Sequence, residues 1–92
     1  MTLEIVSPEA VLLQAEVTSV SVPGVNGEFQ MLDNHAPIIS TLQQGFVRFE
    51  GNPNFKDEVK SKFSKDADGK WKLPINSGTL EMKNNKVIIL AD

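Results

Sequence analysis

His35 is the only histidine in the chain, and an imidazole is the side chain best suited to act as a general base near neutral pH. Asp33 and Ser40 lie close to it in sequence, so an acid, a base and a hydroxyl are all present. A hydrolytic triad also needs a sharp turn that presents the serine as a nucleophile, and no such turn motif is present. The chain has no cysteine, which excludes thiolate chemistry. We therefore interpret His35 as a structural or interface residue and expect no catalytic residue.

Two short motifs resemble ligand-binding loops but lack essential parts. Residues 66–69, Asp-Ala-Asp-Gly, look like a fragment of a calcium loop, but the third oxygen ligand and the closing bidentate glutamate are missing. The glycines within residues 23–27 could cradle a phosphate, but such a cradle requires a helix N-terminus immediately after it. Residues 28–31 alternate like a strand instead, and the Glu28 carboxylate would repel a phosphate. We therefore expect neither a metal ion nor a cofactor.

Glu28 is the remaining polar residue in a prominent position. It directly follows the turn residues Pro23 to Gly27, so the sequence places its carboxylate at the tip of a loop. A carboxylate in such a place is most often simply solvated. It is also where a protein would present a single negative charge to a basic partner. The residues alone leave both interpretations open.

Length and charge restrict the class of protein. Ninety-two residues make one domain with a thin core, and 40% hydrophobic with 23% charged residues is an ordinary globular composition. The net charge of −3 argues against nucleic acid as a partner. The longest apolar run, residues 87–91, is far shorter than the ~20 residues that a membrane-spanning helix needs. We expect any membrane contact to be made only through a partner.

Alternating apolar and polar residues between frequent turn signals predict an all-β fold. We expect an antiparallel two-sheet β-sandwich, or flattened barrel, of about 8–10 short strands. The apolar residues that alternate in phase, and that we expect to point into the core, are Leu3, Ile5, Val20, Val22, Phe29, Met31, Val47, Phe49, Leu80, Met82 and Ile89.

Three local features refine this prediction. Thr18 and Val20 share one phase and Val17 lies outside it, which predicts a β-bulge near Val17. Asn84-Asn85 tolerates positive φ and predicts a tight hairpin turn. Residues 87–90 are apolar on both faces, which predicts a strand covered from two sides.

The segment around residues 51–74 has two possible structures. Phe55, Val59 and Phe63 recur at helical spacing, which is typical of a short amphipathic helix. Val59, Ser61 and Phe63 also alternate, which suits an extended hairpin arm with its turn at residues 66–69 and a return strand from Trp71 to Leu73. The Asp-Gly pair in that turn favours the inserted hairpin, and the short helix remains the alternative.

Residues 20–39 read V-S-V-P-G-V-N-G-E-F-Q-M-L-D-N-H-A-P-I-I and resemble the N-terminal β-sandwich domain of the epsilon subunit of the F-type, rotary ATP synthase. That family has a valine-rich strand, a turn ending in Gly-Glu, a Leu-Pro-Gly-His-Ala-Pro corner and an aliphatic pair. Residues 3–9 and 77–92 also match it. The chain departs from the pattern at Asp33-Asn34, where Pro-Gly is usual, at Gln30, and in a longer segment at residues 51–70.

The resemblance implies a non-catalytic subunit of the central stalk, or rotor, which links the gamma subunit to the c-ring and couples ion translocation to ATP synthesis. It implies a peripheral place on the cytoplasmic face of a bacterial-type inner membrane, as part of the complex. The residues that would face the c-ring are Asn26, Gly27 and Glu28. The residues that would face the gamma subunit are Ser7, His35, Ile39 and Ser40.

In this family, ATP binding and the inhibitory extension reside in a C-terminal pair of helices. The resemblance therefore implies one sandwich domain over residues 1–92 without that helical hairpin, and no ATP bound by this chain. Any restraint on ATP hydrolysis would then lie in another subunit. Two alternatives of other classes stay open: a free-standing β-sandwich binding module that uses the Glu28 loop, and, as the weakest, a small hydrolase that uses His35.

Overall fold

The computed structural model describes all 92 residues, and almost every regular element in it is a β-strand. The elements, in chain order, are β1 (Thr2–Val6), β2 (Val11–Gly24), β3 (Gly27–Leu32), β4 (Ile38–Leu42), β5 (Gly45–Gly51), a 3-10 helix (Lys60–Lys62), β6 (Ser64–Lys65), β7 (Trp71–Ile75), β8 (Gly78–Lys83) and β9 (Lys86–Ala91). The all-β prediction is confirmed. None of the chain's helical structure has the length and apolar character needed to cross a membrane.

The long strand β2 takes part in both halves of the sandwich. Its first half pairs with β1, which continues through β9 and β8 to β4. Its second half pairs with β3 on one side and with β5 on the other, and β5 leads on to β7 and β6. A contact between Gly24 and Leu42 joins β2 to β4 and closes a ring of strands. All pairings are antiparallel except that of β1 with β9, so the flattened barrel agrees with the prediction.

A β-bulge marks the place where β2 changes from one half to the other. Val17 pairs with Gly51 while Ser19 pairs with Glu50, so β2 carries one extra residue there. Val17 is buried and Thr18 is exposed, which puts Thr18 outside the phase of the buried Val20. The predicted bulge near Val17 is confirmed, and the shared phase of Thr18 and Val20 is wrong because Thr18 is itself the extra residue of the bulge.

The core is a single cluster of 21 buried apolar residues between the two halves. Ten of the eleven predicted core residues belong to it, and the eleventh, Phe29, is half-buried and packs against it. The remaining members are Met1, Leu12, Leu13, Val17, Leu42, Val59, Phe63, Leu73, Ile75, Val87 and Ala91. Full burial of one such side chain stabilises the fold by about 1.5–3 kcal/mol.

Strand β9 is covered on one face only. Val87 and Ile89 are buried, but Ile88 is half-buried and 53% of the surface of Leu90 is exposed. The prediction that residues 87–90 are covered from two sides is therefore wrong. The strand has a neighbour along each edge, β1 and β8, and these satisfy its backbone without covering its outer face.

The segment from residue 51 to residue 74 combines parts of both predicted structures. Its hairpin is present but short: β6 pairs with β7 through Ser64–Lys72 and Lys65–Trp71, across the predicted turn. Gly69 in that turn has φ of +80°, a conformation that favours glycine.

The first half of this segment does not form the extended arm. The chain makes the 3-10 helix instead. An extended arm would put Ser61 on the same face as Val59 and Phe63, but Val59 and Phe63 are buried and Ser61 is exposed. Phe55 stacks on Phe63 with ring centroids 4.4 Å apart, and Phe63 meets Phe49 edge-on at 6.0 Å. The helical spacing was therefore the correct guide to the buried face, and the strand over residues 59–63 is wrong.

Candidate functional site

The hairpin of β2 and β3 presents the three residues expected to face the c-ring. Asn26, Gly27 and Glu28 are all exposed, and the turn itself is formed by Val25 and Asn26. Gly27 has φ of +124°, where a side chain would be strained. Pro23 pairs with Glu28, and Gly24 pairs with Gly27 as the last pair of the ladder before the turn. The chain therefore reverses within the predicted turn residues Pro23 to Gly27, and Glu28 is the second residue of β3, directly beside the turn.

Glu28 is not simply solvated, because an arginine of the same face binds it. Arg48 Nη1 donates a hydrogen bond to Glu28 Oε2 at 2.8 Å, and 54% of the Glu28 side chain remains exposed. Ser21 of β2 pairs with both Gln30 of β3 and Arg48 of β5, which places Glu28 and Arg48 near each other across the central strand. Sequence reasoning missed Arg48, since only the order of the strands brings it to this place.

The same arginine also approaches the turn of the inserted hairpin. Arg48 Nε lies 3.7 Å from Asp66 Oδ2. Asp66 Oδ1 accepts hydrogen bonds from the backbone amides of Asp68 at 2.9 Å and Lys70 at 3.1 Å. The motif that resembles a calcium loop is therefore a turn stabilised by its first aspartate. Across the chain, no group of three or more His, Asp or Glu side chains is arranged to hold a metal ion.

A second surface lies on the outer face of β4, β8, β9, β1 and β2. Its apolar members, which we call the outer apolar band, are Val6, Val11, Ile39, Ile88 and Leu90. Strand pairing connects three of them, since Leu90 lies opposite Val6 and Val6 lies opposite Val11. Glu81 of β8 stands between Ile39 and Ile88 in the ladder. Ile39 is the most exposed large apolar residue, at 78%. An exposed apolar surface that continues over several strands is typical of a protein-protein contact.

The residues expected to face the gamma subunit do not form one cluster. Ile39 belongs to the outer apolar band, but Ser40 is its neighbour on the strand and pairs with the buried Leu80, so its side chain lies on the opposite face. Ser7 lies just beyond the end of β1. His35 lies at the opposite end of this face from Ser7. The backbone amide of its neighbour Asn34 donates a hydrogen bond to Asn85 Oδ1, in the turn that precedes β9.

His35 has no catalytic neighbours. Its Nδ1 lies 2.7 Å from the carbonyl oxygen of Ala36, and the ring is exposed. Asp33 is bound to the amino group of Met1, and Ser40 Oγ donates to the carbonyl oxygen of the next residue at 3.2 Å. The acid, the imidazole and the hydroxyl are thus each engaged elsewhere, and the structure does not bring the triad together.

The corner at Asp33 anchors the start of the chain. The Met1 amino group donates a hydrogen bond to Asp33 Oδ1 at 2.8 Å and lies 3.4 Å from Glu16 Oε2. The hydrogen bond to Asp33 is the main reason why the pKa of the Met1 amino group is raised. A hydrogen bond from Thr2 and the nearby amino group lower the pKa of the Glu16 carboxyl.

The Asp33 contact predicts a stability that depends on pH. An amino group whose pKa is raised by folding stabilises the fold below its unfolded value, 8.0, and that contribution disappears as the pH rises through the folded value. We expect Asp33→Asn to lower the free energy of unfolding by at most about 1 kcal/mol near neutral pH. We also expect the variant to lose less stability than the wild type when the pH is raised well above 8.0.

Urea unfolding of the wild type and of Asp33→Asn, near neutral pH and well above pH 8.0, measures how much stability each loses when the pH is raised. Asp57→Asn is the matched control, because it removes the same charge from an exposed residue. Equal pH dependence in the Asp33 variant and the wild type would show that the pair contributes nothing.

The fold is shared with solved structures of ATP synthases. One match is the central stalk and c-ring structure of the mitochondrial ATP synthase of Tetrahymena thermophila, with a TM-score of 0.68, 14% identity, and coverage of 99% of this chain and 62% of that one. Another is the mitochondrial ATP synthase of Euglena gracilis, with a TM-score of 0.72, 18% identity, and coverage of 97% and 48%. At these identities the likeness shows the fold alone.

Curated relatives are more similar in sequence. The ATP synthase epsilon chain of Desulfitobacterium hafniense (strain Y51) is 37% identical over 99% of this chain, which spans 58% of that relative. That of Chlorobaculum tepidum is 34% identical over 99% of this chain and 88% of its own length. The chain thus spans less than two thirds of several relatives that it matches. All of residues 1–92 match the family described as ATP synthase, Delta/Epsilon chain, beta-sandwich domain. The chain belongs to this family, of which it carries the β-sandwich domain.

Proposed function

We propose that this chain is the β-sandwich of a central-stalk subunit of an F-type ATP synthase. It links the gamma subunit to the c-ring and couples ion translocation to ATP synthesis, without catalysing a reaction itself. The observation that carries the proposal is the family match over all 92 residues. The bacterial relatives support a place on the cytoplasmic face of a bacterial membrane, as a peripheral part of the complex.

A coupling element has to transmit torque without deforming, and the fold suits that task. Because β2 joins both halves and the ring of strands is closed, the halves are connected by backbone as well as by side-chain packing. Fifty-four backbone hydrogen bonds hold the strands and turns together. Packed cores of this kind are close to crystalline density and have low compressibility.

The two surfaces fit two different partners. The outer apolar band, with Ile39 at its most exposed point, suits the gamma subunit, because covering apolar surface supplies most of the free energy of a stable contact. The tip at Glu28 suits a polar, basic loop of the c-ring. An exposed ion pair contributes only about 0.2–1 kcal/mol, so Glu28 would fix the register of the contact more than its strength.

The test is the Glu28→Lys variant. We expect it to reduce copurification with the c-ring at low ionic strength, because the introduced lysine meets a basic surface. The loss should shrink at high salt, where exposed charges are screened. The fold should persist, since 54% of this side chain is exposed.

Glu28→Gln is the control that removes the charge without reversing it, and its effect should be smaller. Unchanged association of the lysine variant at every salt concentration would show that the tip does not face the ring. A wild-type chain that copurified with neither the gamma subunit nor the c-ring would contradict the proposed function as a whole.

A further inference from the structure

Arg48 lies between two carboxylates that come from different hairpins. Its Nη1 is hydrogen-bonded to Glu28 at the tip of β2 and β3, at 2.8 Å. Its Nε lies 3.7 Å from Asp66 in the turn of the inserted segment. The turn of the 51–74 segment therefore approaches the arginine that binds Glu28, the residue proposed to face the c-ring.

The two contacts of Arg48 are unequal. The contact with Glu28 is a full hydrogen bond, whereas 3.7 Å to Asp66 is beyond hydrogen-bond distance. Asp66 is nevertheless oriented to accept a hydrogen bond from Arg48. Two backbone amides bind its Oδ1, and its Oδ2 is the oxygen nearer to Arg48. Only 17% of the Asp66 side chain is exposed, against 54% for Glu28. A movement of less than about 1 Å would give Arg48 a hydrogen bond to Asp66.

The charges explain why such a movement would matter. A cationic side chain that approaches Glu28 meets the guanidinium of Arg48 on the same carboxylate, and two positive charges repel each other. If Arg48 moves to Asp66, the number of ion pairs is conserved and Glu28 becomes free for the new partner. The two carboxylates and Arg48 line one shallow depression of about 360 Å³, together with the charged residues Asp68 and Lys70.

We propose that the turn at residues 66–69 belongs to the same interaction surface as Glu28, and that Arg48 exchanges Glu28 for Asp66 when a cationic side chain of a protein partner docks there. This inference rests on the proposed function, in which that partner is a polar loop of the c-ring. The inserted segment then strengthens the contact with the partner, because Asp66 pairs with Arg48 while Glu28 binds the partner's cationic side chain.

The first test uses the isolated chain and no partner. Glu28→Gln removes the charge on Glu28 and so imitates its occupation, which should move Arg48 onto Asp66. Proton exchange of the Arg48 Nε–H with water, measured by NMR, should slow by at least about two-fold relative to the wild type. The slowing should be absent in Glu28→Gln combined with Asp66→Asn. An unchanged or faster exchange in Glu28→Gln overturns the proposed exchange, whatever the partner is.

The second test measures the dissociation constant of the chain for the purified c-ring with the gamma subunit at low salt. Asp66→Asn should weaken binding by about two- to five-fold, because Arg48 then stays on Glu28. Asparagine keeps the acceptor oxygen for the backbone amides, so the turn is preserved. Asp68→Asn is the matched control, since it removes the same charge from the same turn at an exposed residue.

Replacement of Arg48 separates the exchange from a general charge effect. In an Arg48→Gln background, Asp66→Asn and Asp68→Asn should have equal effects. Equal effects of these two substitutions in the wild-type background would overturn the exchange and leave the proposed function in place. A wild-type chain that fails to bind the c-ring and gamma subunit would instead overturn the proposed function, and with it the docking at Glu28.

Discussion

Replacing Phe49 with alanine is expected to lower the free energy of unfolding by about 3–5 kcal/mol. The side chain is fully buried, and its ring meets Phe63 edge-on at 6.0 Å. It lies on β5, between β2 and β7, so the cavity would open where the core joins the inserted segment. Domains of this kind are stable by only about 5–15 kcal/mol, so the variant should be close to unfolding at room temperature.

Phe46 provides the control on the same strand. Its ring is 38% exposed and lies beneath the charged groups of Arg48 and Lys72, at 5.7 Å and 4.8 Å from the ring centroid. Phe46→Ala should lose at most about 1 kcal/mol, since exposed cation–π contacts contribute little. Urea denaturation of both variants measures the difference. Equal losses would show that the core does not lie on the Phe49 face of β5.

The second large effect is expected at Gly78, where β8 begins. A Cβ atom added to Gly78 would lie 2.5 Å from the carbonyl oxygen of Leu90 on the neighbouring strand. That oxygen is backbone, so it cannot move aside as the end of a flexible side chain could. Gly78→Ala should therefore shift β9 and lower the free energy of unfolding by about 1–3 kcal/mol.

Thermal denaturation tests this prediction, since about 1 kcal/mol lowers the Tm of a domain of this size by roughly 4–8 °C. Thr79→Ala is the neighbouring control, because Thr79 is exposed and its replacement by alanine removes atoms without adding any. If the two variants melted at the same temperature, the close approach of β8 and β9 at Gly78 would be wrong.

Much of the fold follows from strand periodicity, because a half-buried strand must alternate with period two. Leu80 and Met82 are buried for this reason, and the same alternation placed Val47 and Phe49 correctly. The bulge near Val17 was also detectable, as a break in phase. Its exact position was not, because either Val17 or Thr18 could have been the extra residue until the pairing with β5 was known.

The parts that could not be predicted depend on which strands become neighbours. The exposure of Glu28 was expected from turn residues, but its pairing with Arg48 requires that β2 lie between β3 and β5. The contact with Asp66 adds a hairpin that is 38 positions further along the chain than Glu28. The exposure of Leu90 also depends on which strands are neighbours. The apolar sequence of its strand predicted that both faces are covered, but no element of the fold packs on the outer face.

The parallel pairing of β1 with β9 has a consequence for how the chain is made. Thr2 pairs with Lys86, 84 positions later, so this ladder gives the fold a high contact order and predicts slow folding. At synthesis rates of about 5–20 residues per second, β1 waits roughly 4–17 seconds for β9 to be translated. Until then only β2 protects it, and its other edge is free to pair with a wrong strand. The pairings of β9 are therefore the last of the barrel's strand pairings to become possible during synthesis.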